Sequence, residues 1–253
     1  MKTHLDIAYA DDKYNYLDMY LPKADGFSTI VYFHGGGFEE GSRKGTNYVE
    51  MASSFVKAGY GFVSVEYRMY SHGAKYPDYL IDASRAVAFV KENISRYGGS
   101  GDLIIAGQSA GAWLATMLCV DKSHLGRYGI EVEDIKGWLI DSAQMTSHFN
   151  IISKELGIDP RLQRIDQYAP IYYVNEDTRF SSMLLIYYTE DMPLRAEQNM
   201  LFLGSLLRFN KEADVVCQVL EGRHCHGSIH KDEDGEYQFV KTSLNWLRDK
   251  HIL

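Results

Sequence analysis

Strand-like and helix-like periods alternate along the whole chain. Two short alternating runs open it, at 5–9 and 14–21, and Asp11-Asp12 between them predicts the turn of an antiparallel hairpin. The continuous apolar run Thr29-Ile-Val-Tyr-Phe33 predicts a strand covered on both faces. Residues 48–56 read as a helix closed by Gly59, and 61–67 as the next strand. The clearest helix spans 76–97, where Leu80, Ala83, Val87, Val90 and Ile94 recur at spacings of three and four. Pro77 near its start and Gly98-Gly99 past its end fit helix punctuation. A strand at 103–106 and a helix at 111–120 follow, then strands at 135–140, 183–188 and 215–220. A helix at 196–207 is expected to bury Ala196, Met200, Leu203 and Leu207. A closing helix carries Tyr237, Val240, Leu244 and Leu247.

This alternation predicts an α/β fold with a mostly parallel central sheet of about eight strands and helices on both faces. Only residues 142–181 break the rhythm, with mixed character and two prolines, Pro160 and Pro170. The expectation is one domain over 1–253, in which 142–181 is a lid-like or substrate-shaping insert, since connections of that length are usually functional.

Composition narrows the field. At 45% hydrophobic and 24% charged, the chain has the apolar material for a packed core. Lys plus Arg number 26 against 34 Asp plus Glu, a net charge of -8, which argues against a nucleic-acid partner. No window approaches the ~20 apolar residues of a membrane helix. The start, Met-Lys-Thr-His-Leu-Asp, lacks an apolar signal core, and three cysteines are an odd number for a disulfide framework. The expected compartment is the cytoplasm, and the reading leaves room for a homodimer.

Two motifs carry chemistry. Gly107-Gln-Ser-Ala-Gly111 falls between a predicted strand and a predicted helix, where a tight turn would push Ser109 out over the sheet edge. His34-Gly-Gly-Gly37 follows the third strand, and its glycines let backbone N–H groups approach a ligand. A phosphate cradle would want a following Lys-Ser/Thr and an immediate helix, and neither is present.

Together the motifs resemble the α/β-hydrolase esterase/lipase group that bears HGGG and GxSxG. The chain is closest in plan to compact carboxylesterases and kynurenine-formamidase-like hydrolases, without an N-terminal helical cap. The resemblance implies Ser109 as nucleophile and the N–H groups of Gly36, Gly37 and Ala110 as an oxyanion hole. Its chain order of Ser, acid, His places the acid after the 183–188 strand. There Asp191 is preferred, Glu190 is one residue off, and Asp141 after the preceding strand is the rival. Gln198, seven residues after Asp191, fits a recurring spacing of the family.

The base is expected in Glu221-Gly-Arg-His-Cys-His-Gly-Ser228, with His224 preferred and His226 as the alternative. A competing reading takes His224, His226, His230 and Asp232 as metal ligands, which would leave Ser109 idle. Phe38 and His148, beside Phe149, are candidates to line a substrate pocket. Glu39 and Glu40 would disfavour strongly anionic substrates. The expectation is a serine hydrolase of small carboxylic esters that needs no cofactor and no metal. An aryl-formamidase, an amidase, a small peptidase and a non-catalytic binding protein on the same fold are the rivals.

Overall fold

The computed structural model describes residues 1–252. Eight strands form one sheet: β1 (Lys2–Ala8), β2 (Tyr16–Leu21), β3 (Phe27–Phe33), β4 (Gly61–Val65), β5 (Gly99–Gln108), β6 (Gly137–Asp141), β7 (Met183–Glu190) and β8 (Val215–Arg223). Their spatial order is β1-β2-β4-β3-β5-β6-β7-β8. The β1–β2 and β2–β4 pairings are antiparallel, and from β4 through β3 to β8 every pairing is parallel.

The central strands bury both faces, which is why they read as continuous apolar runs rather than alternating ones. Val31, Phe33, Ile105, Ile140 and Leu185 point into one core. Ile30, Tyr32, Ile104, Leu139 and Leu184 point into the other. Helices α1 (Thr46–Lys57) and α8 (Gln238–Asp249) cover the second core through Met51, Phe55, Phe239 and Trp246. The first is covered by α2 (Asp78–Asn93), α3 (Ala110–Val120) and α6 (Arg195–Phe209). Short helices α4 (Ser123–Gly126), α5 (Phe149–Lys154) and α7 (His226–Ile229) lie in the connections. The face predicted for α2, from Leu80 to Ile94, is buried throughout.

The expected face of α6 is not the buried one. Met200 is 50% exposed and Leu207 39%, whereas Arg195, Gln198, Asn199, Phe202 and Leu206 are buried. Polar side chains turn inward because they satisfy the backbone of the segment that follows β6. Asn199 donates to the Ala143 carbonyl, Arg195 to the Ser142 carbonyl, and Gln198 accepts from the Met145 N–H. Those hydrogen bonds fix the start of 142–181, which otherwise holds α5 and a 3₁₀ turn at Pro170–Tyr173.

Every residue of α3 is buried. Leu114→Ala is therefore expected to lower unfolding stability by roughly 2–5 kcal/mol, read as a shifted urea midpoint, while Leu201→Ala on the exposed side of α6 changes it by less than about 0.5 kcal/mol.

Candidate active site

Six parallel strands end on one edge of the sheet, and each is followed at once by a polar residue, Glu66 after β4 among them. The others are His34 after β3, Ser109 after β5, Ser142 after β6, Asp191 after β7 and His224 after β8. The carboxyl edge of a parallel sheet is where open α/β folds form their ligand crevices.

Ser109 sits in the turn from β5 to α3 with φ +53° and ψ −113°, a conformation costly for a residue with a side chain. Its N–H donates to the Asp141 carbonyl at 2.8 Å, and its own carbonyl accepts from the Trp113 N–H at 2.9 Å. Gly111 lets the turn close: a Cβ there would lie 2.1 Å from the Phe33 carbonyl oxygen and 2.5 Å from that of His34. The turn directs Ser109 Oγ to His224 Nε2, 2.9 Å away. His224 Nδ1 meets Asp191 Oδ1 at 2.5 Å.

Asp191 is tied on all sides. Oδ2 accepts from Ser142 Oγ at 2.7 Å and from the Tyr188 N–H at 3.2 Å, and Oδ1 also accepts from the Met192 N–H at 2.7 Å. Burial alone would raise this carboxyl, but the hydrogen bonds from His224, Ser142 and Met192 outweigh it and hold Asp191 below its ordinary value. Glu190, its neighbour, is exposed and faces Arg223 at 4.0 Å. His226 does not reach Ser109. It starts α7, packs on Gly222, and its ring lies 4.9 Å from that of His230. Among the described residues no group of three or more His, Cys, Asp and Glu side chains could hold a metal ion.

Asp141, the positional rival, serves a different purpose. It is fully buried and accepts from Ser228 Oγ at 2.6 Å, which anchors the turn after His224. Burial pushes its carboxyl up to about 7, against the lowering pull of hydrogen bonds from Ser228 and Tyr188.

The loop after β3 is pinned from two directions. The His34 ring stacks on Tyr67, and its Nε2 meets Glu66 Oε1 at 3.1 Å. Asn150 Nδ2 donates to the Gly37 carbonyl at 2.6 Å. Gly36 has φ +112°, and a Cβ on it would fall 1.8 Å from the Glu40 carbonyl oxygen, so no other residue fits. The N–H groups of Gly36 and Gly37 make no hydrogen bond to the described backbone. Ala110, as the first residue of α3, has no intrahelical acceptor for its own N–H.

Phe38 and His148 do not line an open pocket. Phe38 is fully buried and stacks on Tyr79 with ring centroids 4.2 Å apart. His148 is buried against Phe38 and Trp113, and its ring Nδ1 accepts from the Asn150 N–H that starts α5. Burial, with the nearby Arg195 charge, pulls its pKa well below the ordinary value. These two side chains pack under the glycine loop, and the half-buried Phe149 stacks on His148 beside it.

Sequence reasoning missed Ser142, Asn150 and Arg195. Ser142 carried one signal, its place directly after a strand on the same edge as Ser109. Asn150 and Arg195 carried none, because only folding brings them to loops distant in sequence.

Fold and site together define an α/β-hydrolase. A family model described as BD-FAE matches residues 17–206, and the chain belongs to that family. A Mycobacterium tuberculosis protein named "Probable carboxylic ester hydrolase LipM" is 36% identical over 118 residues, 44% of this chain and 27% of the relative. Kynurenine formamidase avaC of Aspergillus versicolor is 31% identical over 103 residues, 36% of this chain and 35% of the relative. The chain thus spans about a third or less of the curated relatives it matches. The thermophilic esterase Est2 of Thermogutta terrifontis superposes with a TM-score of 0.79 at 19% identity, over 100% of this chain and 95% of that one, which shows the fold. Among the described residues, no helix is long and apolar enough to cross a membrane.

The raised Asp141 carboxyl has a consequence for stability. In the unfolded chain it ionises near pH 4, while the folded protein keeps it protonated until about 7. The folded state therefore holds the extra proton in that window, and this group's contribution weakens as pH rises from 4 to 7, then levels off. Asp141→Asn removes the effect. The stability of the variant minus that of wild type, from urea titrations, is expected to rise by a few kcal/mol between pH 4 and pH 7. A pH-independent difference would contradict the assignment.

Proposed function

We propose that the protein is a serine hydrolase that cleaves carboxylic esters of small substrates, short acyl and acetyl esters among them, through an acyl-serine intermediate. The observation that carries this reading is the continuous hydrogen-bonded chain from Ser109 Oγ through His224 to Asp191. In this mechanism Ser109 Oγ attacks the ester carbonyl carbon as His224 Nε2 takes its proton. The carbonyl oxygen gathers negative charge and is met by the N–H groups of Gly36, Gly37 and Ala110. Collapse of the adduct expels the alcohol oxygen, which takes the proton back from His224. Water then gives a proton to the same nitrogen, attacks the acyl carbon and releases the acid, and Ser109 recovers its proton. Asp191 holds the His224 ring in the tautomer with Nε2 free and stabilises the imidazolium that forms between transfers. The segment 142–181 shapes the substrate site in this reading, since Phe149 and Asn150 meet the glycine loop.

The relative named kynurenine formamidase supports a second reading, cleavage of an N-formyl or aryl amide by the same serine. Paired p-nitrophenyl ester and anilide substrates separate the two: a higher kcat/KM on the ester is expected, and the reverse order would favour the amidase.

Ser109→Ala is expected to leave a folded protein with at least about 10³-fold lower kcat on p-nitrophenyl acetate. Retention of a tenth of wild-type activity would remove Ser109 from the mechanism. His224→Ala is expected to cost about 10²-fold or more. His226→Ala should cost less than about tenfold, because its ring packs on Gly222 and not on the serine. If the two histidine variants exchanged these losses, the base would be His226.

A further inference from the structure

The cleft beside the triad has a charge character that the steps above do not use. A cavity of about 460 Å³ opens between the residues after Asp191 and the 142–181 segment. Phe149, Pro160, Met192 and Leu194 form apolar walls. Arg161 and Arg195 border it and no carboxylate lines it, but Arg161 is exposed and already paired with Asp159, so Arg195 is the charge that the cleft holds in reserve. Ser109 and His224 are not among its lining residues, but two of those residues neighbour the site. Met192 is bonded to Asp191, and a Cβ on Gly37 would lie 3.5 Å from the Phe149 ring.

Arg195 is the unusual member. It is 3% exposed, yet among the described residues it makes no direct ion pair, although the Asp191 carboxylate is near enough to act on its charge. Nη1 donates to the Ser142 carbonyl at 2.9 Å, Nη2 rests 3.5 Å from Met192 Sδ, and Nε has no partner among the described residues. A guanidinium presents five donors in a fork that matches a carboxylate, and burying one without that partner is costly. The first turn of α6 lines the same wall, and the positive end of that helix adds to the field.

We propose that this cleft receives the limb of an ester substrate that ends in a carboxylate, with Arg195 as the contact that selects it. The inference rests on the ester-hydrolase reading and narrows its substrate class to half-esters of dicarboxylic acids or esters of carboxylated alcohols. The apolar walls take the hydrocarbon part, and the guanidinium forms a charge-assisted hydrogen bond to the terminal oxygens. The expected repulsion of anions by Glu39 and Glu40 does not extend here. Glu39 is paired with Lys154 and accepts from Asn150, and Glu40 lines a separate cavity with Gly35, Thr46 and Tyr237.

The test uses two substrate pairs in which carboxylate and primary amide are alike in size and differ in charge. In the first, the 4-nitrophenyl monoester of adipic acid is compared with the same ester of its monoamide. In the second, 4-carboxyphenyl acetate is compared with 4-carbamoylphenyl acetate. The pairs place the charge on the acyl limb and on the alcohol limb in turn. Wild type is expected to favour the carboxylate in one pair by about tenfold or more in kcat/KM. Arg195→Met should collapse that ratio towards one, and Arg195→Lys should keep part of it. The ratio is the readout because a merely structural arginine would lower both substrates together and leave it unchanged. Dissociation constants of the same pairs, from calorimetry on Ser109→Ala, give the ratio without turnover. Absence of any hydrolysis would overturn the esterase reading while the binding ratio still judged the cleft. A wild-type ratio at or below one in both pairs, or a ratio unmoved by Arg195→Met, would overturn the proposal.

Discussion

The site depends on the close approach of the first turn of α3 to the end of β3. A single methyl on Gly111 would overlap the carbonyl oxygens of Phe33 and His34. With that space empty, the chain can leave β5 in a strained turn and enter a helix at once. The strain at Ser109 is local, and the surroundings over-determine it: β6 accepts its N–H, and α3, buried along its whole length, is fixed by the core. The same approach brings the glycine loop beside the serine. A Cβ on Gly35 would sit 3.3 Å from Ser109 Cβ, so Ser109 and the glycine loop share one packing contact.

Parallel register does the rest of the positioning. Phe33 pairs with Gly107, Gln108 with Asp141, and Glu190 with Arg223, so the strand ends stay level across the sheet. The residues that follow them therefore gather along one edge of the sheet. Around these lies a ring of buried polar groups: Glu66 under His34, Ser142 beside Asp191, Asp141 behind the His224 turn. Buried hydrogen bonds of this kind hold a geometry only when they are satisfied. Asp191 meets that condition through four partners, whereas Arg195 keeps donor capacity unused beside the cleft.

Much of this was legible in the sequence for physical reasons. Strands buried on both faces write unbroken apolar runs, so β3 through β7 are placed to within a few residues, and the half-exposed edge strand β8 is found from its apolar run alone. Ser109, Asp191 and His224 each stand within four residues of the end of such a run, and that position is visible without a fold. The face of α6 was not legible. Apolar spacing pointed to Met200 and Leu207, but the helix turns Arg195, Gln198 and Asn199 inward because the backbone at 142–146 needs donors and acceptors. Phe38 and His148 differ from expectation for a related reason: they lie close to the motifs, but their side chains pack in the core. Periodicity reports how much apolar surface an element buries and does not report what its polar side chains satisfy.

We propose that Ser109 is made nucleophilic by the turn that carries it and by the histidine that follows β8. Labelling with a fluorophosphonate, followed by peptide mapping, reads this directly. The expected result is a single phosphonyl adduct on Ser109, formed rapidly in wild type and at least about a hundredfold more slowly in His224→Ala. No adduct, an adduct on another residue, or equal rates in the two proteins would contradict it.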